Sequence, residues 1–212
     1  LFGTAGFLEM EWDEPYYTTL KKQYHYLVQK HELKNKMDVS EWKFMRMRPA
    51  NFPTVRLAQF AAFLNKAENL LDFVLLEKNN LAQIKSKFDS QLNTFWSNHF
   101  QFGKKATKQR NPKMGVQSIE NLTINAIVPL RFAHAMEHDE QEEKEASLEL
   151  LSQLPAEKNQ ILSLYTSLNF SNQNAYESQS LIQLHNGYCK NKACLSCTIG
   201  HVILHPEPIS VR

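Results

Sequence analysis

The sequence predicts an all-α fold, an irregular multi-helix bundle with long loops and a cysteine-rich knuckle near its C-terminal end. Only six of the 212 residues are glycine, and apolar residues recur mostly at spacings of three and four, the period of a helix. Apolar runs stay far below the roughly 20 residues of a membrane span. At this length folding buries roughly 70% of the unfolded surface, so neither a disulfide nor a metal ion is required for folding.

Proline residues mark the beginnings of the helices predicted in the first half of the chain. Pro15 follows two acidic residues and opens a helix to about Leu33, because proline suits the first helical turn. Pro53 opens a second helix after an extended or turned segment. Apolar periodicity predicts two more helices, over residues 70–76 and from residue 81 to about residue 100.

The second half begins with a loop from Gly103 to Gly115, where the apolar period is lost. A helix capped by Ser118 follows, and Pro129 should kink or divide it because proline removes an amide donor. Later helices end near residue 154, begin again at Pro155 and finish over residues 181–188. The predicted order is therefore helices joined by loops, with no strand.

We expect a single helical domain over residues 1–205, with a cysteine-rich segment over 185–201 and a tail over 206–212. The chain opens with Leu1 and lacks a secretory signal pattern, so we interpret it as a fragment of a longer protein. Three cysteines within nine residues are a poor disulfide framework, which favours a reducing, cytoplasmic compartment. A formal net charge of +2 is too balanced for the whole surface to bind polyanions.

The clearest motif is the spacing His185-x3-Cys189-x4-Cys194-x2-Cys197-x3-His201. Thiolates separated by two residues can share one zinc ion, a third cysteine adds a ligand, and either histidine can complete a tetrahedron. Zinc is favoured over an iron–sulfur cluster because the chain has no fourth cysteine. Two alternatives stay open: reduced thiols that pack as small apolar groups, and a redox-active pair of Cys194 and Cys197.

A second motif interleaves cations with aromatic residues between Trp42 and Arg56. Arg46, Arg48 and Arg56 are suited to phosphate contacts, and the aromatic rings to stacking on bases. In the alternative interpretation the rings anchor a long loop to the core, while the arginines pair with carboxylates or cap helix ends. The exposure of the arginine heads distinguishes the two.

A third motif is a run of cations without an acidic residue between Gly103 and Lys113. It contains Lys104, Lys105, Lys108, Arg110 and Lys113. Such a run can follow a phosphate backbone without reading sequence. The alternative is a solvated, mobile loop.

Catalysis has little support in the sequence. No GxSxG, P-loop, GxGxxG or HExxH pattern occurs. His134 and His138 lie one helical turn apart, but Ala135 stands where the HExxH pattern of zinc peptidases has its glutamate, and the glutamate between the two histidines is Glu137. We therefore assign no catalytic residue and interpret the two histidines as a helix end.

Several segments together resemble domain-of-unknown-function family number 2851, a bacterial family common in Bacteroidetes, in its C-terminal part. They are Leu1-Phe2-Gly3-Thr4-Ala5-Gly6-Phe7-Leu8, Arg48-Pro49-Ala50-Asn51-Phe52-Pro53-Thr54-Val55-Arg56, Asn125 with Pro129, and Cys189-x4-Cys194-Leu195-x-Cys197-x-Ile199-Gly200. The resemblance covers essentially the whole chain. It implies no established activity, but it treats the three cysteines as a unit. It also implies an additional N-terminal region, strand-rich and similar to nuclease-type folds, to which this domain would be an accessory.

The sequence thus predicts a non-catalytic helical domain, stabilised by a metal at its C-terminal end, that helps a larger protein engage nucleic acid. The cations at 46, 48, 56, 104, 105, 108 and 110 would carry the contact. The alternative is a structural or protein-interaction domain that packs on the N-terminal region of the same protein. No membrane partner is expected.

Overall fold

The computed structural model describes residues 1–76 and 80–205, so the predicted tail over 206–212 lies outside the described residues. The described part is mainly helical, with ten α-helices and one two-stranded sheet, which confirms the all-α class. None of its helices combines the length and apolar character needed to cross a membrane. The chain divides into two compact units, Leu1–Ile119 (unit 1) and Glu120–Arg212 (unit 2). The single domain expected over 1–205 stays a prediction.

Unit 1 is built from helices and one short hairpin. The elements are α1 (Pro15–His31), α2 (Pro53–Ala67), α3 (Leu81–Phe88), α4 (Phe95–Asn98), β1 (His99–Gln101) and β2 (Lys104–Lys105), and α5 (Val116–Leu122) crosses the unit boundary. Short 3-10 turns lie at Val39–Glu41 and Pro49–Asn51, and a π-helical turn at Asp72–Leu76 stands where a helix was predicted over 70–76.

The first helix begins at the proline that predicted its start. Pro15 lies in the first turn of α1, after an extended Glu14. The helix ends at Glu32, which adopts a left-handed conformation (φ 49°) and donates its backbone N–H to the carbonyl of Val28. A left-handed residue of this kind is a common helix stop, and it places the end close to the predicted residue 33.

The single helix predicted over 81–100 is wrong. α3 ends early, and the ammonium of Lys66 donates to the carbonyls of Ser86 (2.6 Å) and Asp89 (3.3 Å) at that end. The Asn93 side chain then accepts a backbone amide at 2.9 Å and begins α4. The chain continues as β1, antiparallel to β2. Strands of three and two residues are too short to show an alternating pattern, so apolar spacing could not predict them.

The core of unit 1 surrounds Trp96, which is fully buried. Its ring stacks on Phe2 (5.6 Å between centroids) and meets Phe102 edge-on at 5.4 Å. Its Nε1 donates to the hydroxyl of Tyr16 at 3.3 Å. The N-terminal segment, α1, α4 and the hairpin therefore share one aromatic centre. The other buried members are Ala5, Phe7, Leu8, Tyr17, Val55 and Ala58.

The regular elements in the described part of unit 2 are helices and short helical turns. It contains a π-helical turn at Thr123–Ile127, α6 (Val128–Glu137), α7 (Gln141–Ser152), α8 (Gln160–Ser167), α9 (Ala175–Leu184), a second π-helical turn at His185–Cys189, a 3-10 turn at Cys194–Ser196, and α10 (Thr198–Leu204). Side chains of Asn159 and Asn174 accept backbone amides at the starts of α8 and α9. These caps fix the starts of the two helices that precede the cysteine segment.

One prediction about the region around residues 116–130 needs correction. α5 begins at Val116, so Ser118 lies inside the helix and does not cap it. Pro129 falls in the first turn of α6, and a π-helical turn directly ahead of it separates α6 from α5, so the regular helix is interrupted near this proline. The Asn125 side-chain amide donates to the carbonyl of Asn121 at 2.9 Å, the carbonyl-satisfying role that fits a residue ahead of a proline.

Candidate functional site

The aromatic residues of the 42–56 segment point into the core of unit 1. The indole Nε1 of Trp42 donates to the carbonyl of Ala5 at 2.9 Å. Phe44 packs edge-on between Phe7 (6.0 Å) and Phe52 (5.1 Å). These rings are therefore anchors, as in the alternative interpretation of this motif, and they do not form a stacking platform for bases.

Arg46 and Arg48 behave differently from the rings around them. Both side chains are exposed, and Arg46 stands in the left-handed region with φ 61°. Among the described residues neither arginine forms an ion pair with a carboxylate. Their positive charges are therefore available to solvent and to a polyanion.

Arg56 is half-buried and bonded to neutral groups. Its Nη1 donates to Gln59 Oε1 at 2.8 Å, and its Nη2 donates to Asn51 Oδ1 at 2.7 Å and to Ser118 Oγ at 3.0 Å. Burial lowers the pKa of this guanidinium from its usual value, but arginine stays charged at neutral pH. Three of its five donors are used inside the fold, so Arg56 positions the turn before α2 and is less available than predicted for a polymer.

The lysine-rich loop is anchored at its ends. Ala106 donates its N–H to Asn98 O (2.6 Å), and Arg110 donates its N–H to Ser97 O at 3.0 Å. At the far end the Lys113 ammonium pairs with Asp89 at 2.7 Å. The loop therefore presents its cations from a fixed base. Lys104, Lys105 and Lys108 are exposed.

Arg110 has an environment of its own. Its guanidinium lies over the ring of Phe100 with 4.3 Å between its Cζ and the ring centroid, a cation–π contact. Its Nε and Nη2 are buried and have no hydrogen-bond acceptor in the described protein. Burial also lowers the pKa of this side chain from its usual value.

The two cationic segments meet at an aromatic contact. Phe52 follows the turn that begins after Arg48, and its ring lies edge-on to Phe100 of β1 at 6.3 Å. The hydroxyl of Thr54 also donates to the carbonyl of Phe100. The 42–56 segment and the hairpin therefore pack against each other through Phe52, Thr54 and Phe100.

The cysteine segment of unit 2 gathers around Tyr165 of α8. The hydroxyl of Tyr165 donates to Cys189 Sγ at 3.2 Å, and its ring lies edge-on to His185 at 6.0 Å. Burial is the main cause that raises the pKa of Tyr165 to about 12, followed by the hydrogen bond to Cys189 and the charges of Cys189 and Cys197. Cys197 is buried, whereas Cys189 and Cys194 are exposed.

Gly200 lies inside α10 and packs against the backbone of Cys194. A Cβ added at Gly200 would overlap the backbone carbonyl of Cys194, so only glycine permits this close approach. His201, the next residue, follows the helix and stacks on His205 with 4.6 Å between ring centroids.

Within residues 1–76 and 80–205, no three histidine, cysteine, aspartate or glutamate side chains form a group that could hold a metal ion. His185 and Cys189 share Tyr165 as a neighbour, but the set of five ligands from 185 to 201 is not assembled. The zinc site therefore stays a prediction.

Comparison with known proteins places the chain in a family. The model of a family described as "Protein of unknown function (DUF2851)" matches residues 1–160, about three quarters of the 212 residues. The chain belongs to this family. No curated protein and no solved structure matches it. The resemblance seen in the sequence is confirmed for residues 1–160, and the Bacteroidetes type and the C-terminal position stay predictions.

The DUF2851 match includes every cation of the candidate interface and ends before the cysteine segment. The cations at 46, 48, 56, 104, 105, 108 and 110 lie inside residues 1–160, and the five predicted metal ligands lie after them. The two sites therefore belong to different parts of this DUF2851 chain and require separate tests.

A metal measurement tests the cysteine segment directly. If the predicted site forms, this DUF2851 protein purified without added metal should contain about one zinc ion per chain by elemental analysis. Replacement of Cys189 or Cys197 by serine should remove most of it, because each substitution deletes a thiolate. His205→Asn is the matched control and should leave the content unchanged. A wild-type protein that contains no zinc and takes up none after addition contradicts the site.

Sequence reasoning missed three residues that the structure brings into these sites. Gln59 connects Arg56 to the 103–113 loop, since its Nε2 donates to the carbonyl of Pro112 at 2.9 Å. Phe100 supports Arg110, and Tyr165 neighbours the thiols. A glutamine on an apolar helix face was a usable signal for the first. The other two pairings join residues that no sequence spacing connects.

Proposed function

We propose that unit 1 of this DUF2851 protein binds the phosphate backbone of nucleic acid. The observation that carries the proposal is a set of exposed cations without ion-pair partners among the described residues: Arg46, Arg48, Lys104, Lys105 and Lys108. Three lysines of the same unit, Lys21, Lys36 and Lys113, do have a carboxylate partner; Lys36, for example, pairs with Glu9 at 2.9 Å. Unpaired cations keep their full field for phosphates.

The fixed bases of both cationic segments also support the proposal. The 42–56 segment is anchored through its rings, and the 103–113 loop through hydrogen bonds and the Lys113–Asp89 pair. Cations on such supports lose less conformational freedom when a polymer binds. The alternative, a structural or protein-interaction domain, would be favoured by arginine heads buried against carboxylates, and the exposed Arg46 and Arg48 give it less support.

Binding at several salt concentrations tests the proposal. Wild-type protein should bind double-stranded DNA or RNA at low salt, and the logarithm of the association constant should fall linearly with the logarithm of salt concentration. The measurement is fluorescence anisotropy of a labelled duplex. No binding at low salt would end the proposal.

Removing two cations should change the slope of that line. The variant Lys104→Gln/Lys105→Gln is expected to bind more weakly and to reduce the salt slope by roughly two, because each lost phosphate contact removes about one unit. Lys158→Gln/Lys190→Gln, which changes two exposed lysines of unit 2, is the matched control for net charge. Equal weakening by the two variants would assign the binding to overall charge and contradict an interface on unit 1.

A further inference from the structure

Two side chains supply the buried nitrogens that lack a hydrogen-bond partner within the described residues: His99 through Nε2 and Arg110 through Nε and Nη2. The histidine nitrogen lies 3.4 Å from Glu14 Oε1, so it has a carboxylate beside it. Within residues 1–76 and 80–205, neither of the two arginine nitrogens has a carboxylate paired with it. A buried charged donor without an acceptor is strongly unfavourable, because it has lost its water and gained nothing in return.

The two unpartnered nitrogens of Arg110 form one functional edge. In a guanidinium, Nε–H and one Nη2–H point the same way, and this edge grips two oxygens of a carboxylate or phosphate side by side. The face of the same guanidinium lies on the ring of Phe100, and the backbone N–H of Arg110 is held by Ser97. The side chain is therefore fixed by its face while its bidentate edge stays unused.

Among the described residues, no carboxylate forms an ion pair with this edge. No acidic residue occurs between Gly103 and Lys113. Asp89, a described carboxylate that contacts this loop, already forms an ion pair with Lys113. Arg56, the other half-buried arginine of this unit, directs three donors at neutral groups. An oxyanion from outside the chain would supply the acceptors that the fold does not.

We propose that the Nε–Nη2 edge of Arg110, supported on Phe100, is a seat for the terminal phosphate of a nucleic-acid strand. This deepens the proposed function and rests on it for its natural ligand. A terminal phosphate fits better than a backbone phosphate because the edge is buried, and an internal phosphodiester continues as chain on both sides. Free phosphate offers the same chemistry from a second source.

Two duplexes of one sequence test the seat, one with phosphates at its strand ends and one with hydroxyl groups. At matched ionic strength the wild-type protein should bind the phosphorylated duplex roughly tenfold more tightly, the value of one strong charge-assisted interaction. Arg110→Lys keeps the charge but lacks the fork, so it should bind both duplexes alike. Lys108→Gln, the control on the same loop, should weaken both and keep the preference.

Inorganic phosphate separates the seat from the proposed function. In the wild-type protein, phosphate at constant ionic strength should remove the preference for phosphorylated ends and leave hydroxyl-ended binding intact. This result supports the seat even if Arg110→Lys does not fold. Hydroxyl-ended and phosphorylated duplexes that bind equally well to the wild type would overturn the seat while the proposed function stands. Phosphate binding that Arg110→Lys loses, without any duplex binding, would instead retain the seat for free phosphate and end the proposed function.

Discussion

Replacement of Trp96 by alanine is expected to lower the free energy of unfolding of unit 1 by about 3–5 kcal/mol. The side chain is fully buried, and it joins Phe2, Tyr16 and Phe102 in one cluster. Alanine would leave a cavity that surrounding rings cannot fill without losing their mutual packing. It would also remove the donor that Trp96 supplies to the hydroxyl of Tyr16.

Tryptophan fluorescence measures this effect on the correct unit. The three tryptophans, Trp12, Trp42 and Trp96, all lie in unit 1, so urea unfolding followed by fluorescence reports on that unit. Trp96→Phe keeps a ring against Phe2 and should lose less than half as much stability as alanine. A loss below about 1 kcal/mol for Trp96→Ala would contradict the central position of this side chain.

Replacement of Gly103 by alanine is expected to cost unit 1 about 2 kcal/mol or more. Gly103 connects β1 to β2 with φ 71°, a left-handed conformation that disfavours any side chain. A Cβ there would also overlap the ring of Trp12. In addition, the N–H of Gly103 donates to Glu14 Oε2 at 3.1 Å, so a displaced hairpin tip would lose that bond.

Gly115→Ala is the matched control, because nothing lies within 4 Å of a Cβ at that position. It should leave stability within about 0.5 kcal/mol of the wild type, with urea unfolding as the measurement for both variants. If Gly103→Ala moves the hairpin, Phe100 moves with it, and duplex binding should weaken together with stability. Equal stability of the two glycine variants would contradict the tight packing of the hairpin tip.

Proline predicted the start of two helices correctly and of a third wrongly, since α8 begins at Gln160 and not at Pro155. Pro15 and Pro53 begin α1 and α2, as expected from the fit of proline to a first turn. Residues 89–105 were misjudged because their structure depends on distant donors. Lys66 donates to a carbonyl near the end of α3. Glu14 accepts the N–H of Gly103 at the hairpin tip, and the ring of Trp12 packs against Gly103. Apolar spacing contains no information about such partners.

The candidate site also contains features that the local sequence predicts and features that depend on distant partners. The exposure of Arg46, Arg48 and the loop lysines agrees with a charge pattern that can be read from sequence. The inward direction of the rings in the 42–56 segment could be weighed from sequence but not decided, because anchors and stacking platforms use the same residue types. The unpartnered edge of Arg110 could not be predicted, since it follows from which acceptors the fold brings near and which it keeps away.

The inward orientation of Trp42, Phe44 and Phe52 has a consequence for selectivity. Because these rings pack into the interior, this face of unit 1 would offer a nucleic acid, under the proposed function, only its positive charges. Its occupancy should then follow the linear charge density of the polymer, with little discrimination among nucleotide compositions. Magnesium ions and polyamines, which neutralise that density, should displace the protein at concentrations far below those of monovalent salt.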